Sequence, residues 1–165
     1  MRPPLLNSAG MRKLLFAACY FSEGAPIGFI WWALPTKLHA AGVPLETTAS
    51  ISALLVLPWV FKFLWAPIID IARSGKWSYR AWILTLQFSM GIALLPLMML
   101  DEQANLDLIV GVLFVHALLA ATQDTAIDAF AISLVPPEER GALNGWMQFG
   151  MLLGRALRGG GVLLV

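Results

Sequence analysis

Residues 108–135 read LIVGVLFVHALLAATQDTAIDAFAISLV, an almost unbroken apolar run that nonetheless carries His116, Asp124 and Asp128. An apolar α-helix needs about 20 residues to cross a hydrocarbon core about 30 Å thick, so this run is long enough to span a bilayer. A charge at the bilayer centre costs about 2.5–3.5 kcal/mol on insertion scales, so the two aspartates predict a helix with one face turned away from lipid. Four similar runs accompany it, at 14–38, 48–69, 81–100 and 144–165. The breaks between them, at 39–47, 70–80, 101–107 and 136–143, are short and polar, as close antiparallel helices require. Period-2 alternation is absent and the runs are too long for barrel strands. The expected fold class is therefore all-α, a polytopic bundle of five membrane helices over 14–165 behind a short segment 1–13.

The totals agree. The chain has 165 residues, 59% hydrophobic and 13% charged, against roughly 45–50% and about 25% in an ordinary soluble domain. A soluble core of this size cannot bury that much apolar side chain. The net charge of +1 offers no field to attract nucleic acid, and the lone Cys19 forms no internal disulfide. No His/Cys/Asp/Glu set has metal-ligand spacing, so neither metal nor cofactor is expected. Arg12-Lys13 ahead of an apolar stretch ending at Cys19 resembles a signal peptide, but the stretch runs on past Trp31, Trp32 and Leu34 and four more spans follow.

Basic residues set the expected orientation. Arg2, Arg12 and Lys13 precede the first run, Arg73, Lys76 and Arg80 join the second to the third, and Arg140 joins the fourth to the fifth. The opposite side has Lys37 and the acidic Asp101, Glu102 and Asp107. The N-terminus is expected to be cytoplasmic. Because the chain is still apolar at 159–165, it is expected to be the front of a longer protein, with a missing C-terminal half as its partner.

Seven ionisable residues fall within or beside the runs: Glu23, Lys62, Asp70, Asp124, Asp128, Arg155 and Arg158. At 1.5 Å per residue Glu23 lies about 13 Å into the first helix and Arg155 about 16 Å into the fifth, both near mid-depth. Lys62 and Asp124 belong to the cytoplasmic half, with Asp70 and Asp128 closer to the surface. So many charges need either one another or a wet interior. Asp124 and Asp128, four residues apart, share a helix face. They fit a proton or cation relay or a rearranging gate, or else a fixed salt bridge from Asp128 to Arg73, Lys76 or Arg80. Glu23 precedes Gly24-Ala25-Pro26, where a missing N–H and a missing side chain predict a hinge at Gly24 and Pro26. It suits ligand or proton contact, or a structural pair with Lys62 or Arg155. Gly24-x-x-x-Gly28 and Gly150-x-x-x-Gly154 read as close-packing faces.

The stretch Phe61-Lys62-Phe63-Leu64-Trp65-Ala66-Pro67-Ile68-Ile69-Asp70, followed by basic residues to Arg80, resembles the major facilitator superfamily. More narrowly it is similar to the muropeptide permease and acetyl-CoA transporter group. So are Thr122-Gln123-Asp124-Thr125-Ala126-Ile127-Asp128-Ala129 and Pro136-Pro137-Glu138-Glu139-Arg140-Gly141. The resemblance covers nearly the whole chain and implies the N-terminal half of a secondary transporter working by alternating access. It implies a cytoplasmic gate of Asp70, Arg80 and Asp128, with Arg80 pairing a fourth-helix acid such as Asp128. Glu23, Asp124, Arg155, Arg158 and Lys62 are then the expected substrate or proton pathway. Partners would be an anionic small solute, protons and the lipid bilayer of the cell membrane. A non-transporting scaffold or truncation product is the competing reading. An integral membrane enzyme built on the paired acids is the third, against which stands the absence of a His-rich motif, a Ser/His/Asp set or a phosphate loop.

Overall fold

Proline and glycine decide where each apolar run is helical and where its winding changes. The computed structural model describes residues 6, 8–72, 77–100 and 105–161, so Arg2, Arg73, Lys76, Asp101 and Glu102 lie outside the described residues. Seven α-helices follow in order: α1 (Ala9–Gly28), α2 (Leu34–Ala40), α3 (Leu45–Val60), α4 (Ala66–Ile71), α5 (Tyr79–Leu94), α6 (Leu106–Leu134) and α7 (Pro137–Arg155). The all-α class is as the sequence implied.

Helix α1 stays α-helical through Gly24 and Pro26. The winding changes further on, in a π-turn over Phe29–Ala33 in which the Leu34 N–H reaches back to the Phe29 carbonyl. Pro35 follows at once. It has no N–H for the Trp31 carbonyl and its ring crowds that oxygen, and the wider turn relieves both. The run ends at Gly42, whose φ of +82° carries the reversal. Val43 N–H bonds Leu38 O at 2.9 Å and Gly42 N–H bonds His39 O at 3.0 Å, the paired bonds of a Schellman C-cap.

The second run is not one helix. It breaks after Val60 into a 3₁₀ turn, Lys62–Leu64, and restarts as α4. Pro67 is the cause. It cannot donate to the Phe63 carbonyl, so the chain restarts with proline in the first turn, where no N–H is required. Pro96 ends α5 in the same way, in a 3₁₀ turn over Leu95–Met98.

Helix α7 begins seven residues before the expected 144, because Pro137 sits at its first position with Glu138 and Glu139 in the first turn. The expected loop 136–143 is thereby reduced to Val135 and Pro136. Among the described residues four helical stretches are long and apolar enough to cross a membrane: Ala9–Ala40, Leu45–Leu64, Tyr79–Met98 and Leu106–Leu134. The fifth expected span, 144–165, is not among them, since α7 carries charges in its first turn and the description stops at 161. The chain is a multi-pass integral membrane protein.

Two compact units divide the chain, Met1–Leu34 with Phe130–Val165, and Pro35–Ala129. In the first, α1 lies on α7 and on the π-turn Ala156–Gly160 that continues it. A Cβ on Gly24 would strike the Met151 backbone, one on Gly150 the Ala17 carbonyl and one on Gly154 the Phe21 carbonyl. Only glycine allows backbones this close. Arg12, buried, binds Glu139 Oε2 at 2.5 Å and the Leu6 carbonyl at 2.9 Å. Arg140 donates to the Val135 and Ile132 carbonyls, satisfying the open end of α6. In the second unit, Gln123 of α6 donates to Ile83 O and to Gln87 Oε1 of α5, both at 3.0 Å.

Candidate functional site

Each unit gathers its own set of ionisable groups. In the first, Glu23 is wholly buried. Helix α1 aims it inward one residue before Gly24, where the α7 backbone lies close by. Arg155, at the last residue of α7, lies against Gly28 through its backbone. Its guanidinium stands 4.9 Å from the centre of the Trp31 ring, in cation–π range. Glu23 acts electrostatically on Arg155, and also on Cys19 one turn earlier in α1. No ion pair within 4 Å joins Glu23 to Arg155 among the described residues. A buried acid with an arginine held nearby can exchange a proton, or turn the arginine toward an arriving anion. Arg158 is exposed in the π-turn after α7 and makes no ion pair among the described residues.

In the second unit, Lys62 stands at the break between α3 and α4. Its Nζ lies 2.5 Å from Asp124 Oδ2 and 3.8 Å from Asp128 Oδ2. Asp124 is nearly enclosed, its side chain 9% exposed, whereas that of Asp128 is 41% exposed. The hydroxyls flanking Asp124 turn back into their own helix, Thr122 to Leu118 O and Thr125 to Ala121 O. Nearer the loop, Asp70 accepts a 2.8 Å hydrogen bond from Tyr79 Oη. Arg80, beside Tyr79, is exposed and makes no ion pair among the described residues. The structure thus sets Lys62, not Arg80, against the two α6 acids.

Several of these partners are absent from the sequence-level expectation. Arg12 was weighed only as a topological charge, yet it is buried on Glu139. Gln87 is absent from that expectation and Gln123 enters only within a quoted motif, although two amides on neighbouring apolar runs are a visible signal of interhelical bonding. The stacking of Arg155 on Trp31 depends on the π-turn, which no residue spacing displays.

Comparison with known proteins places this geometry in a family. The family model described as acetyl-coenzyme A transporter 1 matches residues 13–104. The chain is 29% identical over 150 residues to the anhydromuropeptide permease of Escherichia coli K12, covering 90% of this chain and 30% of that protein. It is 29% identical over 135 residues to an uncharacterized protein of Haemophilus influenzae, 81% of this chain and 32% of that one. A putative transporter AmpG 1 of Rickettsia felis is 28% identical over 121 residues, 70% of this chain and 27% of that one. The chain spans about 30% of the length of the first of these relatives. No solved structure matches.

Proposed function

The chain belongs to the acetyl-coenzyme A transporter 1 family, and on that premise we propose that it supplies the N-terminal helices of a secondary permease that carries an anionic solute with protons by alternating access. The relatives bearing names are a permease and a putative transporter, and both are about three times its length. Anhydromuropeptide, named for the Escherichia coli relative, is the first solute to test. The N-terminus is cytoplasmic in this reading and the location is the cell's inner membrane. The rest of the permease completes the pathway, and the chain is a carrier rather than an enzyme.

The observation that carries the proposal is the fully buried Glu23 in an apolar helix, with Arg155 near enough to feel its charge. A simple anchor has no use for them, because each raises the cost of insertion. Glu23 takes and releases the coupled proton, and Arg155 answers the change of charge. Asp70, Arg80 and Asp128 serve the cytoplasmic gate, with Tyr79 holding Asp70. Lys62 offsets the charge of Asp124 on the polar face of α6.

Uptake of radiolabelled anhydromuropeptide by cells lacking their own permease tests this reading. With Glu23→Gln in the whole permease, uptake should lose its dependence on external pH while the protein still reaches the membrane. Uptake that follows the same pH profile in the variant as in the unmodified permease would falsify the coupling role.

A further inference from the structure

The two carboxylates facing Lys62 are not equivalent, and that inequality has a use beyond charge neutralisation. Asp124 and Asp128 sit one turn apart on α6, where side chains four residues apart are neighbours. Lys62 reaches both from a point where the helix ladder is already interrupted: Phe61 and Trp65, on either side of the 3₁₀ turn, have φ/ψ of −96°/5° and −108°/−5°. A lysine is a compact charge on a flexible four-carbon stem, able to pivot without moving its backbone far. Its contact with the enclosed Asp124 is a 2.5 Å hydrogen bond, and that with the more exposed Asp128 a looser 3.8 Å approach. Lys62 and Asp128 also make further interactions, so neither is confined to this trio.

We infer that Lys62 is an exchangeable counter-ion, held by Asp124 in the state seen here and passing to Asp128 whenever Asp124 is neutralised. The physical reason lies in the difference of burial. An enclosed carboxylate without a counter-ion is strongly disfavoured, so Lys62 stays on Asp124 while that group is charged. Once Asp124 is neutral, Asp128 offers Lys62 a negative charge within reach, one turn along α6 and more exposed. The inference concerns this trio alone and does not depend on the transport reading.

Acylation of Lys62 tests it directly. The chain in membranes is treated briefly with a small amine-acylating reagent, and modification of Lys62 is read by peptide mass, with Lys37 as internal reference. Seated on Asp124, the Lys62 side chain is 37% exposed and its amine is held by the 2.5 Å bond to that enclosed acid, whereas an amine released toward Asp128 stands at the more exposed acid and meets the reagent more readily. Asp124→Asn should quicken Lys62 acylation by about threefold or more, whereas Asp128→Asn should leave it within about twofold, because Lys62 stays on the charged Asp124. Lys37 labelled as in the unmodified chain is the reference for folding in both variants. If Asp124→Asn leaves the rate unchanged with Lys37 labelled as before, or if Asp128→Asn quickens it by about threefold or more, the exchange does not occur. Neither result bears on whether the permease carries a solute.

Discussion

Helices α1 and α7 meet through their backbones, whereas α3, α5 and α6 are linked through polar side chains. At the first seam Gly24, Gly28, Gly150, Gly154 and Gly159 each lie so near a facing backbone atom that any Cβ would overlap it. Across α5 and α6 the links are the Gln123 amide on Gln87 and Ile83, and Lys62 ties the break after α3 to α6. Lipid tails are as apolar as leucine, so helices inside a membrane associate by close packing or by polar contact, with little hydrophobic drive between them. The first unit relies mainly on the backbone seam, with Arg12 on Glu139 as a polar link beside it, and the second on polar links. A backbone seam cannot shift register without large overlap, while a polar link can exchange partners. The first unit therefore reads as a rigid strut and the second as the part able to rearrange.

The comparison breaks most readily at Gly150. With Gly150→Ala the new Cβ would overlap the Ala17 carbonyl, and no flexible side chain is there to give way. A loss of about 3 kcal/mol, the upper end of the usual overpacking range, is expected as a lower unfolding midpoint in detergent. A variant melting with the unmodified chain would show that the seam is not close-packed.

A smaller effect is expected at Gln123→Leu, which removes the bonds to Ile83 O and Gln87 Oε1. Interhelical hydrogen bonds in membranes average about 0.6 kcal/mol, so a loss of about 1 kcal/mol or less should appear in the same melts. A loss rivalling that at Gly150 would erase the contrast between the two regions. Least of all should come from Gly91→Ala in α5, where a Cβ would meet nothing within 4 Å. Replacing an unconstrained helical glycine should stabilise by about 0.5–1 kcal/mol. Destabilisation there would mean that α5, too, has a neighbour at close range.

Much of the architecture was legible in the chain. Run length and composition revealed the apolar helices, and the spaced glycines of Gly24/Gly28 and Gly150/Gly154 marked the faces that the structure packs together. The interruption at Lys62–Leu64 was legible in part, since Pro67 announces it, but apolar length concealed it: a broken helix and a straight one have the same hydropathy. The start of α7 was hidden for the opposite reason. Glu138, Glu139 and Arg140 read as loop polarity, although acids behind a proline are also how a helix begins.

The candidate site was legible as a set of residues but not as a set of pairs. Charges that cannot face lipid declare themselves by identity alone, so Glu23, Lys62, Asp124 and Arg155 were named from the sequence. Which charge faces which depends on helix rotation and on local winding. Helix rotation sets Lys62, rather than Arg80, against Asp124 and Asp128.

By itself, then, the sequence determined that this chain is a bundle of membrane helices with ionisable groups inside it, because the energy of placing side chains in hydrocarbon depends on their chemistry and on little else. Only the tertiary structure decided that Arg155 stacks on Trp31 and that Lys62 serves two unequal acids. Those contacts turn on a few ångströms of helix rotation, which prolines, π-turns and glycine contacts set together and no single segment contains.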